Sequence, residues 1–298
     1  MVAGNYTLRN LFLSGNKIRK KGAMALAGAI LHGCSLAKVH LSANKLGPSG
    51  IKVLSGAIAE LDARRQHLLQ RQGGIVITAI KPQAIEHLLL DNTSLGSTGL
   101  VSLSGMLMSN QNLSVLGISN NGIDDRDMAV LSQALSQNKP IPLAAIDLSF
   151  NKITCIGVEC FMNAVWGSQT LREIKLDNNR MQDRGAQLCS VVLGAIPLAV
   201  LDIGFNRVST VGIKALMKSV SENDSLRVMS MSGMPMDLNA CKAVSYALAY
   251  NQSLERFHID SCCVGYSGQR HIVAGIVSNR NIKLRAFTGF PLGREFIR

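Results

Sequence analysis

Residues 143 to 153 read LAAIDLSFNKI, and this stretch contains the pattern that decides the fold. Apolar residues at Leu143, Ile146 and Leu148 are followed, three residues after the last, by Asn151. A short strand would point its apolar residues inward, and in the turn that follows the asparagine amide would satisfy backbone groups that are otherwise buried without partners. One copy cannot bury its own apolar side, so copies of this unit are expected to stack.

The pattern is repeated along the chain at a nearly constant period. Successive copies begin 27 to 30 residues apart, except that the second and third copies are 49 residues apart. Apolar residues placed at random would not hold this period through so many copies. The ten copies begin at Leu8, Leu36, Ile85, Leu113, Leu143, Leu171, Leu198, Leu226, Leu254 and, in a weaker form, Leu284.

The asparagine recurs at the same place in most copies. It is interrupted by Thr93, Met234 and Cys262. Because each such amide would bond buried backbone groups, these residues are predicted to form a structural ladder along the stack. The members of this asparagine ladder are Asn16, Asn44, Asn121, Asn151, Asn179 and Asn206.

A helical pattern follows each strand pattern. A glycine stands six residues after the asparagine position in most copies, with Asp127 and Ala240 as the departures, and apolar residues then recur at helical spacing. Each unit is therefore predicted to be one strand plus one helix. From Thr7 to about Leu284 the chain resembles the ribonuclease-inhibitor-like class of leucine-rich repeats. The resemblance implies an α/β solenoid of about ten repeats, a horseshoe with a concave parallel sheet and convex helices.

The domain organisation follows from the same period. Because a solenoid grows by adding units along one axis, residues 1–298 are predicted to form a single domain. An insertion at about 62–82 breaks the repeat; its first part is expected to lengthen the preceding helix, and residues 75–80 are β-like. Residues 285–298 are expected to be a C-terminal cap or a docking tail.

Composition limits the class of protein. Apolar residues make up 47% of the chain and aromatic residues 4%, and the formal net charge is +12. No segment reaches the roughly 20 apolar residues that span a bilayer, and the N-terminus has no hydrophobic signal segment. We therefore expect an intracellular, cytoplasmic protein without a membrane span.

No motif for chemistry is found in the sequence. There is no phosphate-binding loop, nucleophile elbow or metal-ligand spacing, and the six histidines are scattered. The seven cysteines have no regular spacing and are interpreted as small core residues. We predict a non-enzymatic protein with no catalytic residues, cofactor, metal or small-molecule substrate.

Strand alternation predicts which side chains lie on the concave face. That face is predicted to be polar and locally acidic. Phe150 and Phe205, each directly before an asparagine of the ladder, are either exposed aromatic anchors for a partner or part of a structural spine. The predicted concave partner-binding residues are Asp147, Phe150, Lys175, Asp177, Asp202, Phe205 and His258.

Positive charge recurs directly after the asparagine position. One cation in each of several repeats would be stacked along one edge of the solenoid, where it would attract an anionic partner. The alternative is that Asn-Lys is an ordinary solvated turn. The residues of this basic rim are Lys17, Lys45, Lys152, Arg180 and Arg207.

Two classes of function remain open from the sequence. The first is a scaffold that binds a protein partner, acidic or part of a large assembly; resemblance to leucine-rich components of cilia and the axoneme suggests a cytoskeletal or ciliary setting. The alternative is a GTPase-activating protein resembling the Ran activator, in which Arg64 or Arg65 would be the catalytic arginine. Nucleic-acid binding is disfavoured, because the acidic strip would repel phosphates and stacking aromatics are missing.

Overall fold

The structure, a computed structural model, describes residue 5 and residues 7–32, 35–71, 84–138, 140, 142–279 and 283–290. The β-like run at 75–80 and the segment beyond residue 290 lie outside the described residues. The described chain divides into two compact units, one ending at Asp147 and the other beginning at Leu148. The sequence-based division, a single domain over 1–298, stays a prediction.

The first unit alternates strands and helices in chain order. Its strands pair in parallel, each with the next along the chain. The strands are β1 (Asn10–Phe12), β2 (Lys38–His40), β3 (His87–Leu89), β4 (Val115–Gly117) and β5 (Ala145–Asp147). The helices are α1 (Lys20–Leu31), α2 (Gly47–Arg71), α3 (Gly96–Leu107) and α4 (Asp125–Gln137).

The second unit has the same alternation and the same parallel pairing between successive strands. Its helices are α5 (Cys155–Val165), α6 (Gln182–Val192), α7 (Thr210–Glu222), α8 (Leu238–Tyr250) and α9 (Tyr266–Ser278). Its strands are β6 (Glu173–Lys175), β7 (Val200–Asp202), β8 (Val228–Ser230), β9 (Arg256–His258) and β10 (Ala286–Thr288). The predicted repeat of one strand and one helix is confirmed.

The core lies between the strands and the helices of each unit. The middle residue of each inner strand points to the helices and is buried, whereas the first and third residues point away from them. In the second unit Ile174, Leu201, Met229 and Phe257 stand next to one another in register and are at most 1% exposed. The two-residue alternation read from the sequence therefore gives the correct buried face.

Tight packing near the start of several helices explains the glycine column. At Gly212 a Cβ atom would lie 2.5 Å from Val208 Cγ1, which is too close for a side chain. At both departures from the column the residue bonds the N-terminal capping residue of its helix. Asp127 completes a capping box with Asp124 on α4, and the Ala240 N–H donates to the Asp237 carboxylate at 2.7 Å on α8.

Four asparagines of the ladder bond their repeat to the preceding one. Asn206 is fully buried, and its Nδ2 donates to the carbonyls of Leu176 at 2.8 Å and Ile203 at 2.9 Å. Its Oδ1 accepts from the Met181 N–H at 3.2 Å. Asn44, Asn121 and Asn179 likewise donate to a carbonyl in the preceding repeat, and they accept from N–H groups there. The Nδ2 of Asn151 donates to Leu148 O and Ser149 O.

Asn16 differs from the other members of the ladder. It is exposed, and its Nδ2 donates to the carbonyl of Ser14 in its own turn. The reason is its place in the first repeat: among the described residues no strand stands on the other side of β1.

Two of the interrupted positions keep part of the bonding. The Thr93 hydroxyl donates to Leu90 O at 2.7 Å, and the buried Cys262 thiol lies 3.3 Å from Met231 O.

A second column of asparagines, which the sequence analysis missed, bonds the ends of the helices. In the second unit Asn251 Nδ2 donates to Val220 O at 2.7 Å and to Asn223 O at 2.9 Å. Asn279 makes the equivalent bonds to Leu248 O and Asn251 O. In the first unit Asn138 bonds Leu107 O and Asn110 O in the same way. At Asn223 and Asn251 the signal in the sequence is an asparagine three residues before the first leucine of the strand pattern, whereas Asn138 and Asn279 stand five residues before it.

Helix α2 is 25 residues long, whereas the other helices have 11 to 13, and it runs to Arg71, inside the insertion expected from the sequence. On its extension Asp62 is 3% exposed and its carboxylate accepts from the Nδ2 groups of Asn110 and Asn112. Burial raises the pKa of Asp62, although the bonds from the two asparagines and the nearby Arg65 oppose the shift.

Candidate interaction surface

The side of the sheet that faces away from the helices is called here the open face. In the second unit the third residue of each strand lies on this face and is polar and half-buried, among them Lys175, Asp202, Ser230 and His258. Their strands stand side by side in register, so the four side chains form one row across four repeats. The row is polar, as strand alternation predicts.

Asp202 is an acidic residue of this face that already accepts hydrogen bonds within the chain. Its carboxylate accepts from the Gly204 N–H at 3.1 Å and from the Ser230 hydroxyl. Burial raises its pKa above the ordinary value, and the nearby Asp177 raises it further, while the bonds from Gly204 and Ser230 and the charge of Lys175 lower it. Asp177 accepts from Asn178 Nδ2 at 2.9 Å.

Several of the predicted contact residues already have partners within the chain. Lys175 forms an ion pair with Glu173 at 2.7 Å. His258 Nδ1 lies 3.0 Å from Thr288 Oγ1, and the Thr288 hydroxyl in turn bonds Asp260. Asp147 belongs to the first unit, where it ends β5 and is half-buried. Lys175 and His258 can still touch a partner, but each would have to keep or exchange a bond that it already makes.

Phe150 and Phe205 are exposed aromatic residues in turns of the second unit, each directly before an asparagine of the ladder. They are 55% and 47% exposed, and both have left-handed backbone, with φ of 55° and 53°. Phe150 and Phe205 lie two repeats apart, and Asn178 occupies the equivalent turn of the repeat between them. The Phe150 N–H donates to Asp177 O and the Asn178 N–H donates to Gly204 O, each at 2.9 Å. The same position elsewhere holds small or polar residues with positive φ: Gly15, Ala43, Asn92, Asn120, Asn178, Gly233 and Ser261. Bulky residues rarely adopt this conformation.

The basic rim is exposed throughout and is not neutralised by acidic residues. Lys152, Arg180 and Arg207 occupy equivalent turns of the second unit, and Lys17 and Lys45 occupy the equivalent turns of the first. Among the described residues the ion pairs are Arg64–Glu60, Lys175–Glu173 and Arg184–Glu159, and none of them includes a rim residue. The rim side chains therefore keep their charge available to a partner.

Other kinds of site receive little support from the described part of the chain. It contains no group of three or more histidine, cysteine or acidic side chains placed to hold a metal ion. Arg64 pairs with Glu60 at 2.8 Å and also bonds Leu31 O, and Arg65 bonds Asn112. No helix within the described ranges is both long enough and apolar enough to cross a bilayer.

Comparisons with known proteins agree with the repeat architecture. The family described as Leucine Rich repeat matches residues 4–27, 167–188 and 196–217. Ribonuclease inhibitor of Sus scrofa is 23% identical over 227 residues, which cover 64% of this chain and 49% of that protein. The Mus musculus ribonuclease inhibitor is also 23% identical, over 68% of this chain and 52% of its own length. The chain is a leucine-rich repeat protein of the ribonuclease-inhibitor-like class.

The extent of these matches is limited. The chain spans about half the length of the ribonuclease inhibitors it matches. NACHT, LRR and PYD domains-containing protein 14 of Homo sapiens is 23% identical over 62% of this chain and 20% of that protein. A chain in the crystal structure of the Rad7 and Elc1 complex in yeast is 12% identical, with a TM-score of 0.51 over 85% of this chain and 63% of that chain, which shows the fold alone. Leucine-rich repeat proteins typically act as scaffolds for protein–protein interaction.

Proposed function

We propose that this protein is a non-enzymatic interaction module that binds a protein partner through its open face and its basic rim. The observation that carries the proposal is that Phe150 and Phe205 are half-exposed and have left-handed backbone. A left-handed backbone costs a residue other than glycine about 1–2 kcal/mol, and residues held in such conformations cluster at functional sites. Since about half of each residue stays exposed, burial within this chain contributes only about 0.7–1.5 kcal/mol against that cost.

The charge of the rim indicates the kind of partner. Exposed cations without acidic neighbours favour an acidic surface, and they act mainly on the rate and specificity of association. Lys152, Arg180 and Arg207 belong to the same unit as Phe150 and Phe205. The partner in this proposal is therefore an acidic protein surface, met by aromatic anchors on the open face and by cations on the rim.

A finer proposal is that the partner belongs to a cytoskeletal or ciliary assembly. Its support is the net charge of +12 together with the unpaired rim, because filaments with acidic surfaces would suit such a row of cations. Co-sedimentation with microtubules, which have an acidic surface, tests it; protein that stays in the supernatant at low salt would refute this setting.

The GTPase-activating alternative has no observation in its favour, since Arg64 and Arg65 both bond within the chain.

The proposed function is tested by crosslinking and affinity capture from cell extract, followed by mass spectrometry. The triple variant Lys152→Glu, Arg180→Glu, Arg207→Glu reverses the rim charge of the second unit without breaking an ion pair. A matched control is Lys218→Glu, which makes the same kind of charge change at an exposed position on α7. We expect the triple variant to lose partners that wild type and control both retain, and wild-type capture to weaken as salt rises from about 0.05 to about 0.5 M.

Capture that is the same for all three proteins would remove the rim from the interface. If the double variant Phe150→Asn, Phe205→Asn also captured the same partners as wild type, the proposed interaction surface would be wrong.

A further inference from the structure

A cleft of about 810 Å³ lies along the turns that follow β7, β8 and β9 in the second unit. Phe205 and Pro235 give it an apolar wall, Gly233 lies under the Phe205 ring, and Arg207 and the exposed Cys263 also line it. Its volume is in the range of sites that take a small molecule or a few side chains of a peptide. The cleft includes two residues of the proposed interaction surface, Phe205 and Arg207.

The wall of the cleft is built before any ligand arrives. Phe205, Arg207 and Cys263 all have left-handed backbone, with φ of 53°, 56° and 53°. Gly233 has φ of 69°, and a Cβ atom there would lie 2.2 Å from Phe205 Cδ1. The Phe205 ring can take its position only because residue 233 has no side chain. A fixed aromatic wall reduces the ordering cost of binding.

The charge of the cleft favours an anion. Arg207 is exposed and forms no ion pair with the described residues. Asp237, the acidic residue of the lining, is occupied at the start of α8: its carboxylate accepts from the Ala240 N–H at 2.7 Å and from the Thr210 hydroxyl. These bonds lower the pKa of Asp237, with smaller contributions from the Asn239 N–H and Lys214. Asp237 keeps its negative charge, but its carboxylate already accepts these hydrogen bonds, whereas no ion pair among the described residues includes Arg207.

We propose that this cleft binds an extended acidic segment of the partner protein, with an apolar side chain against Phe205 and Pro235 and a neighbouring carboxylate on Arg207. A planar guanidinium suits a carboxylate because it can donate two parallel hydrogen bonds. This inference rests on the proposed function and deepens it, since it names the chemistry that one part of the surface recognises. The alternation of apolar and acidic side chains is the recognition element.

Cys263 supplies a readout inside the cleft. The probe is the hexapeptide Glu-Leu-Glu-Leu-Glu-Leu, and the measurement is the rate of iodoacetamide alkylation of Cys263, followed by peptide mass spectrometry. Cys155, half-buried on α5 of the same unit, is the internal reference. At a peptide concentration of about 1 mM we expect alkylation of Cys263 to slow several-fold, while the rate at Cys155 does not change.

Two control peptides separate the components of recognition. Lys-Leu-Lys-Leu-Lys-Leu has the wrong charge, and Glu-Ser-Glu-Ser-Glu-Ser lacks the apolar side chains; neither should protect Cys263. Arg207→Gln should weaken the affinity of a fluorescein-labelled Glu-Leu probe by about tenfold, as expected when a charge-assisted bond is lost, and Lys218→Gln should leave it unchanged. Gly233→Ala should also weaken it, because the new methyl group displaces the Phe205 ring.

The possible outcomes separate this inference from the proposed function. No protection by the Glu-Leu peptide, equal protection by the lysine peptide, or full affinity in Arg207→Gln would overturn the cleft as an acidic-peptide site. Equal protection by free glutamate at the same carboxylate concentration would show a small-anion site and would also overturn it. If any of these results came with partner capture that still depends on Phe205 and the rim, the proposed function would stand and only the role of the cleft would be wrong.

Discussion

Replacing Phe150 or Phe205 by asparagine distinguishes an exposed aromatic anchor from a structural spine. Asparagine stands at the equivalent position in three other repeats, at Asn92, Asn120 and Asn178. It tolerates left-handed backbone better than a bulky residue does. The substitution therefore removes the ring and relieves the backbone, and it keeps a residue type that this turn already accepts.

The magnitude follows from the exposure of the two residues. They are 55% and 47% exposed, so about half of the roughly 1.5–3 kcal/mol for full burial of a phenylalanine is at stake, or about 0.7–1.5 kcal/mol. The relief of left-handed backbone offsets this by about 1 kcal/mol. We expect each variant to unfold within about 1 kcal/mol of wild type. The control Phe257→Ala, at a fully buried ring, should cost about 3–5 kcal/mol.

The assay is urea unfolding followed by circular dichroism. Free energies of unfolding are compared between proteins whose free energy falls with the same slope against urea concentration. A loss at Phe150→Asn or Phe205→Asn as large as that of Phe257→Ala would show that the ring is structural. The left-handed backbone would then be explained by packing within the chain, and the observation that carries the proposed function would be lost.

Three further predictions concern the ladders and the acidic row. Asn206→Ala should destabilise the fold by at least about 2 kcal/mol, because each buried group left unpaired costs about 1–3 kcal/mol, whereas the exposed Asn16→Ala should change it by less than about 0.5 kcal/mol in the same urea assay. Asn251→Ala should cost about 1–3 kcal/mol by leaving Val220 O unpaired, and unchanged melting would count against the second asparagine column. Because its pKa is raised in the fold, Asp202 favours folding below its unfolded pKa, near 3.8, and this contribution is lost as pH rises through the folded pKa. Asp202→Asn should therefore melt higher than wild type at neutral pH and lose that advantage near pH 4; an advantage that is the same at both pH values would contradict the argument.

Much of the architecture was predictable because each repeat contacts its neighbours along one axis. The burial of Ile174 and Leu201 follows from their place in the two-residue strand pattern, and the burial of Asn206 follows from its place after the strand. The second asparagine column was missed, although Asn251 has a signal three residues before Leu254. An asparagine in a loop has many ordinary explanations, and only its bond to Val220 O, 31 residues earlier in the chain, shows its role.

The sequence by itself determined the period, the order of strands and helices, the buried side of each strand and the rim of cations at Lys152, Arg180 and Arg207. These features repeat locally, so the spacing of residue types is enough to find them. Only the tertiary structure decided that Phe205 has left-handed backbone, that its ring lies over Gly233, and that Arg207 stays unpaired while Lys175 does not. Those properties depend on side chains about one repeat apart that stacking brings into contact, and no local pattern specifies what such neighbours will leave exposed.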